Sequence, residues 1–574
     1  MKMPRKSNRV KLDGGRPLNP FIEQLLSNRG ICGNDNIKTF LEPKLKDLPD
    51  PFLLKDMDRA VKLIKDCIDG EFQFLIWGDY DVDGTTATAL LLLFFRSIGC
   101  DAVYHIPNRL KDGYGIQKQG LKHITKGRDP LKTLIITVDN GISAHAAVEF
   151  AKQSGYKIIV TDHHLPPALK VGADAVINPS QPSCLFPDKT LAGVGVAFYL
   201  AMATRSYLVK SGYFKSTSNI PNLKKLLDLV AIGTVADMVP LKSTNRILVK
   251  AGLEALAKKG NIGLTALCKK NSLDISCIRS EDISFQLAPK INAAGRLGEA
   301  EKAVELFLST EKSGAVLLAK QLIANNERRR SINIEDFEKA KIELGNEQKN
   351  DSYAVVVSGD YHIGVAGIVA SNLVQKYQKP SVVLCSDNNG ILKGSARSVP
   401  GIDLYLALEN CKEAMIGYGG HKMAGGMSLT TENLGFFRTL FENAIKEQAI
   451  ENDFEPTDLV DADIQISELF TMDILRQLHL MEPFGQGNPQ PIFRDNVSGF
   501  LELEPLGKDK KHLRCSFAGN RKSIIKGVAF GMGDLLDKCQ NIKEQEVLYT
   551  PTHNFFRGRR SWQVRVVEIS IEPQ

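Results

Sequence analysis

Three aspartates stand at alternate positions, Asp79, Asp81 and Asp83 in "WGDYDVDGTT", between the apolar runs "FQFLIW" and "ATALLLLFF". Clustered carboxylates repel one another unless a cation or protons compensate. The spacing therefore calls for a divalent metal. The plain alternative is that the aspartates are solvated and cap the next helix. Other acids and imidazoles occupy similar places. "LIITVDNG" ends with Asp139, "IIVTDHH" ends with Asp162, His163 and His164, and "LVAIGTVADMVPL" carries Asp237 in an otherwise apolar stretch. Carboxylates and imidazoles without thiols suit Mn²⁺ or Mg²⁺ better than structural zinc. This many ligands suggests two ions about 3.5–4 Å apart, bridged by a carboxylate, with Asp139 the best placed. Such a pair activates a water and stabilises charge at phosphorus and at the leaving oxygen, so phosphoester hydrolysis is the leading reaction class.

The elements that must position these residues follow from periodicity. "FQFLIW", "DAVYHIP", "TLIITVDNG", "YKIIVTDHH" and "ADAVINP" read as strands, alternating with helical patterns such as "TTATALLLLFFRSIG" and "HAAVEFAKQSG". Alternation of this kind predicts a parallel sheet with helices on both faces. In an open α/β sheet, ligands bind outside the carboxyl ends of the strands, where these acids fall. "NPFIEQLLSNRG" and "MDRAVKLIKDCIDG" predict helices before the sheet, and residues 190–310 read as mainly helical. "AVLLAKQLIANNERRRSINIEDFEKAKIEL" keeps a helical pattern for its whole length without Gly or Pro, which predicts a connector helix between domains. A second α/β segment starts near Tyr353 and includes the Gly-rich run "GYGGHKMAGGMSL". Past about residue 455, short strands predict a small β-barrel or sandwich.

Length and composition set outer bounds. The chain has 574 residues, 43% hydrophobic and 24% charged, which predicts three or four domains of ordinary globular composition. The net charge of +7 says little about partners by itself. The basic start, "MKMPRKSNRVKLDGG", lacks an apolar core, so no secretory signal and a cytoplasmic location are expected. The run "ATALLLLFF" is too short for a bilayer. Ten cysteines with no CxxC pair fit a reducing compartment and argue against a thiolate zinc site.

"DYDVDG", "TVDNG", "TDHH" and "GTVADMVPL" resemble the four motifs of the DHH phosphoesterase superfamily, and "GGHKMAGG" resembles the signature of its associated second domain. With "NAAGRLG" and "EPFGQGNPQP", the likeness extends from about residue 15 to near the C-terminus and is strongest to the superfamily's single-strand-specific 5′→3′ DNA exonucleases. The resemblance implies an N-terminal helical segment (1–70) and a DHH-type parallel-sheet catalytic domain with a helical extension (71–310). A connector helix (311–345), a DHHA1-type α/β substrate-binding domain (346–452) and an OB-like β-barrel for nucleic acid (453–574) would follow. It implies that Asp81, Asp139 and Asp237 hold one ion with Asp79 near it, that Asp83, Asp139 and His163 hold the other, and that His164 lies beside the scissile phosphate. Trp77 stands where some superfamily members carry a metal-binding histidine.

Substrate choice must come from elsewhere. "GGHKMAGG" offers mobile backbone amides, with His421 as donor. Arginine reads phosphate oxygens bidentately. By resemblance, Arg109, Arg296, Ser395 and Arg397 would form a pocket for the 5′-terminal phosphate, with His362 lining the same cleft. In the β-rich part, Lys508, Lys510, Lys511, His512, Arg514, Arg521, Lys522, Lys526, Arg557, Arg559 and Arg560 interleave with Phe517, Phe530, Phe555, Phe556 and Trp562. Such a basic, aromatic-bearing barrel suits single strands, with about half of the aromatics in the core. The expectation is a monomeric enzyme of DNA repair and recombination that works with a helicase and a single-strand-binding protein. The alternatives are an oligoribonuclease, a cyclic-dinucleotide phosphodiesterase or a pyrophosphatase of the same superfamily, and a non-catalytic single-strand-binding scaffold.

Overall fold

The computed structural model describes residues 10–12, 15–109, 112–113, 115–345, 352–387, 390–450, 460–540, 545–556 and 559–570, without the side chains of Lys259, Ile450, Lys522, Gln540, Phe555, Phe556 and Arg559. Contacts group the chain into two units. One joins Pro49–Asp237 to Gly252–Pro456, and the other joins Met1–Leu48, Met238–Ala251 and Thr457–Gln574.

In the first unit, β1 (Gln73–Trp77), β2 (Ala102–His105), β3 (Thr133–Val138), β4 (Lys157–Thr161) and β5 (Ala175–Ile177) form an all-parallel sheet in the order β2-β1-β3-β4-β5. β3 and β5 are buried throughout, and β1 and β4 in all but their first residue. Near-continuous apolar strands are what a sheet covered on both faces requires. The chain leaves β1 for β2 on one side and resumes at β3 on the other, so the winding reverses between β1 and β3. That reversal marks the crevice where such sheets bind ligands. The register fixes what stands there. Trp77 pairs with Thr137, and Thr137 with Val160, so Asp79, Asp139 and Asp162 each lie two residues beyond mutually aligned positions.

Helix Val82–Ser97 is buried along nearly all its length, as a helix apolar on every side must be. It packs against helices Gly193–Lys210 and Leu227–Ala236. The helix Lys312–Leu344 runs 33 residues, about 50 Å. It packs on helices Ile262–Lys270 and Ala288–Arg296. Its second half gives Ile332, Phe337 and Ala340 to the core beneath the next sheet. That sheet is mixed, in the order β6-β7-β8-β10-β9, from β6 (Val355–Gly359), β7 (Ser381–Ser386), β8 (Ile391–Arg397), β9 (Gly417–His421) and β10 (Ala424–Thr430). The Gly-rich run is therefore a paired hairpin rather than a loop. Its amides are held in an antiparallel hairpin, Gly420 opposite Gly425 and Gly419 opposite Gly426. Glycine is weak evidence for a loop when the neighbouring backbone approaches closely.

In the second unit, seven strands run in the order β11-β12-β16-β17-β15-β14-β13, from β11 (Ala462–Asp463), β12 (Phe493–Val497), β13 (Glu502–Leu506), β14 (His512–Ala518), β15 (Ile524–Ala529), β16 (Gln545–Phe556) and β17 (Arg559–Ser570). Phe493, Leu513, Phe517, Tyr549 and Val566 form its core together with Leu18, Ile22, Leu25 and Leu26 of the N-terminal residues. Arg246, almost wholly buried, ties this unit together. Its guanidinium donates to the carbonyls of Phe40, Leu480, Glu482 and Pro483. Of the interleaved aromatics, Phe517 is core and Phe530 is exposed. Arg557 and the side chains of Lys522, Phe555, Phe556 and Arg559 lie outside the described residues.

Candidate active site

Each acid is aimed by a local backbone device. Asp81 is the N-cap of helix Val82–Ser97 and accepts from the Gly84 N–H at 2.9 Å. Capping thus accounts for one of the three alternate aspartates. Asp83 sits in the first turn of that helix, buried. Its carboxylate accepts the N–H groups of Gly193 (2.6 Å) and Val194 (2.8 Å) at the start of another helix, where the helix dipole favours negative charge. Asp139 has φ of 62°, in the left-handed region that Asp tolerates better than most residues. Such strained positions recur at functional sites. A Cβ on Gly193 would stand 2.7 Å from Asp139 Oδ1, so glycine is needed there for close approach. Asp237 is the C-cap of helix Leu227–Ala236.

The side chains converge. His163 Nε2 lies 3.1 Å from Asp139 Oδ1, 3.7 Å from Asp237 Oδ2 and 4.0 Å from Asp83 Oδ2. Ligand atoms of Asp79, Asp81 and Asp139 form one set within 4.8 Å of one another, those of Asp83, His163 and Asp237 a second, and those of Asp139, His163 and His164 a third that overlaps both. Asp139 belongs to the first and touches His163 of the second. The resemblance implies Asp237 beside Asp81 and Asp139; in the fold Asp237 feels the charges of Asp83 and Asp81 and acts on Asp139, and it also lies 3.7 Å from His163.

Electrostatics show what such a site can hold. Burial first, then the neighbouring carboxylates, raises Asp79 and Asp139 well above the carboxylate range. The same causes push Asp83 to about 7 and Asp237 to about 9. Burial, then His164, lowers His163 to about 4, which keeps its imidazole neutral, as a metal ligand must be. Asp79 Oδ1, His163 Nε2 and Asp237 Oδ2 are buried without a hydrogen-bond partner. Buried acids that must ionise, and orphaned ligand atoms among them, fit divalent cations. The oxygen-rich donor set with one imidazole fits Mn²⁺ or Mg²⁺.

His164 is held differently. Its Nδ1 is 2.7 Å from Asp162 Oδ1, and Asp162 also accepts the N–H groups of Ile142, His163 and His164. Burial pulls His164 down, but the Asp162 hydrogen bond and the charges of Asp162, Asp81 and Asp79 outweigh it and raise its pKa. The sequence puts Asp162 at a strand end without assigning it a role; in the fold its buried carboxylate orients His164.

Beside the acids lies a cavity of about 240 Å³ lined by Asp79, Tyr80, Asp81, Arg109, Asn292 and Arg296. Arg109 sits over the Tyr80 ring at 5.0 Å. Arg296 donates to the Gly364 carbonyl at 3.2 Å. Burial, then Arg109, Arg329 and Arg397, lowers it to about 10, so four guanidinium groups share this region. Arg397 donates to Ser395 Oγ at 3.1 Å. A Cβ on Gly367 would stand 2.8 Å from the Arg397 guanidinium and 3.0 Å from Ser395 Oγ. The His362 N–H donates to buried Asp336 of the long helix at 2.8 Å. His421 lies at the exposed end of edge strand β9, and no hydrogen bond or ion pair links it to the arginines among the described residues. Arg329, Gly193 and Asp336 are functional neighbours that sequence reasoning misses. Their signals are the run "NNERRRS" on a helix, the small residues opening "AGVGVAF", and an acid buried within a charged helix.

Residues 73–234 match the model of the DHH family N-terminal domain, 350–447 that of the DHHA1 domain, and 460–568 that of the RecJ OB domain. The chain is 37% identical over 559 residues to the single-stranded-DNA-specific exonuclease RecJ of Dickeya dadantii (strain 3937), covering 95% of each. It is 35% identical over 556 residues to RecJ of Bacillus subtilis (strain 168), covering 96% of this chain and 68% of the relative. The crystal structure of RecJ in complex with Mn²⁺ from Thermus thermophilus aligns with a TM-score of 0.77 at 28% identity, over 99% of this chain and 80% of that one. With identity running through nearly its whole length and three domain models matched in order, the chain belongs to the RecJ family of the DHH phosphoesterase superfamily.

Proposed function

We propose that the chain is a metal-dependent exonuclease that hydrolyses the phosphodiester bonds of single-stranded DNA from the 5′ end, in DNA repair and recombination. One observation carries the polarity: Asp79 and Asp81 line the same cavity as Arg109 and Arg296. A 5′-terminal phosphate held by Arg109, Arg296 and Arg397, with Ser395 beside Arg397, leaves the adjacent linkage at the acids.

Asp79, Asp81, Asp83, Asp139, His163 and Asp237 hold two divalent ions, Mn²⁺ or Mg²⁺. When bound, the ions supply an activated water and neutralise charge on the attacked phosphate. Asp139 would be the shared ligand, because its carboxylate belongs to one set and lies 3.1 Å from His163 of another. His164, oriented by Asp162, donates its remaining N–H towards a phosphate oxygen as negative charge develops, a task that rewards preorganised donors. His362, its N–H anchored on Asp336, lines the same cleft, and His421 contributes at its exposed edge. Lys508, Lys510, Arg521, Lys526 and Arg560 of the β domain are exposed and serve as a track for the strand backbone.

Among the described residues, no helix is long and apolar enough to cross a membrane. We place the enzyme in the cytoplasm, where its ten unbridged cysteines would stay reduced, as a monomer that acts with a helicase and a single-strand-binding protein. The deciding experiment digests 5′- and 3′-labelled DNA, single-stranded and duplex, with Mn²⁺, Mg²⁺ or chelator. Early release of the 5′ label from single strands only, abolished by chelator, is expected. Intact single strands in Mn²⁺, or preferred turnover of a free dinucleotide, would reject the reading.

A further inference from the structure

Among the described residues, one other set of metal-ligating side chains converges, in the unit that contains the C-terminal β domain: His479, Glu482 and His553. His479 occupies the last turn of helix Met472–Leu480, Glu482 follows two residues beyond that helix, and His553 stands on β16. His479 Nδ1 and Glu482 Oε1 are 3.2 Å apart. One ligand atom from each of the three residues lies within 4.8 Å of the others. Two donors bound to one zinc ion in a tetrahedron are about 3.3 Å apart. The first pair already has that spacing, and His553 needs at most about 1.5 Å of movement to complete it.

An i,i+3 ion pair at a helix end would explain His479 and Glu482, but it does not bring a second imidazole to the same point. His553 is held there by its surroundings. It pairs in register with Trp562 on β17, and the two rings lie 3.6 Å apart. Its ring meets that of His479 edge-on at 5.9 Å. Arg246 donates to the Glu482 backbone carbonyl at 3.0 Å and also feels the charge of the Glu482 carboxylate, which lies 3.2 Å from His479 Nδ1. Two imidazoles and one carboxylate on a supported frame are the donor set of zinc-type sites, with a fourth position open to water.

We propose that His479, Glu482 and His553 bind a divalent transition-metal ion of the zinc class, distinct in chemistry from the oxygen-rich pair of ions in the active site. Nitrogen donors favour zinc over magnesium and manganese. The ion fastens the end of helix Met472–Leu480 to the β16–β17 hairpin and so stiffens the β domain without taking part in hydrolysis.

The test uses the full chain, stripped with chelator and dialysed against Zn²⁺ with Mg²⁺ in excess, with metal content read by elemental analysis. The variants are His479→Ala and Glu482→Gln, whose side chains are exposed or half-buried. Their melting temperatures in chelator, compared with wild type, establish folding, and either variant that melts like wild type decides. Wild type should retain one more zinc per chain than the variant, and zinc should raise the melting temperature of wild type alone. Equal zinc content and equal melting shifts in wild type and variant would overturn the site.

Discussion

His163 Nε2 lies 3.1 Å from Oδ1 of Asp139, the aspartate whose backbone occupies the left-handed region. The contact joins the overlapping sets of ligand atoms, so removing the charge of Asp139 tests them together. Asn tolerates the same backbone and has nearly the same volume. Asp139→Asn should lower nucleotide release by at least about 10²–10³-fold. It should also raise the melting temperature of the chelator-treated protein at pH 8, because one of several repelling carboxylates is gone. Steady-state release assays and thermal unfolding check both halves; a fully active variant would remove Asp139 from the site.

The raised carboxyls give the metal-free protein a definite pH dependence. A carboxyl whose pKa is higher folded than unfolded takes up a proton on folding. Its stabilisation is whole below the ordinary value near 3.8 and is lost as pH rises through about 7 for Asp83 and about 9 for Asp237. Bound dications reverse the preference, since they bind the carboxylate form. In chelator, the melting temperature should therefore fall between pH 6 and 9. The gain on adding Mn²⁺ should grow over the same interval, towards the ~2.7 kcal/mol expected at a hundredfold excess over Kd. A gain that shrinks with rising pH would contradict the assignment of these acids as ligands.

The strand-end acids are legible because a parallel sheet announces itself through apolar runs, and the residues that follow such runs gather at one edge. Asp79, Asp139 and Asp162 are aligned by register alone. The partition of ligands is not legible in the same way. Asp237 caps a helix, and the packing of that helix against Val82–Ser97, which no local pattern encodes, brings it among Asp81, Asp83, Asp139 and His163. The hairpin Gly417–Thr430 reads as a loop because glycine signals a turn equally well. Its strand character comes from pairing with β8, a contact between segments some thirty residues apart. Arg329 looks like one more solvated charge on a long helix until the fold lays that helix beside Arg296.

Asp162 acts through His164, and a variant pair separates this from a merely structural role. Asp162→Asn keeps the shape but loses the anionic acceptor of the His164 ring and of three backbone N–H groups. It should lower kcat by about 10²-fold with little change in KM. If the effect runs through His164, the double variant with His164→Ala should be no slower than His164→Ala alone, a strong departure from additivity. Additive losses would show that Asp162 supports the site by some other route.

The arginine group makes the sharpest claim about substrate, because it should distinguish two ends of the same strand. Arg397 is half-buried, bonded to Ser395 and lowered in pKa by burial and then by Arg109, so it is a desolvated cation that gains from an anion. Hydrogen bonds to charged groups contribute about 1.5–3 kcal/mol. Arg397→Ala should therefore reduce kcat/KM on 5′-phosphorylated single strands by about 10–100-fold. On the same oligonucleotide with a 5′-hydroxyl the change should be within about twofold, since no terminal phosphate is there to lose. Arg397→Lys should recover little, because an ammonium does not reproduce the planar fork. Arg329→Ala should show the same preference for the phosphorylated end with a smaller loss, since it is half-buried and already donates to Asn326. Equal losses on both ends would mean that these arginines hold the strand along its backbone, and the 5′ polarity would then have to arise from the path of the chain into the acids.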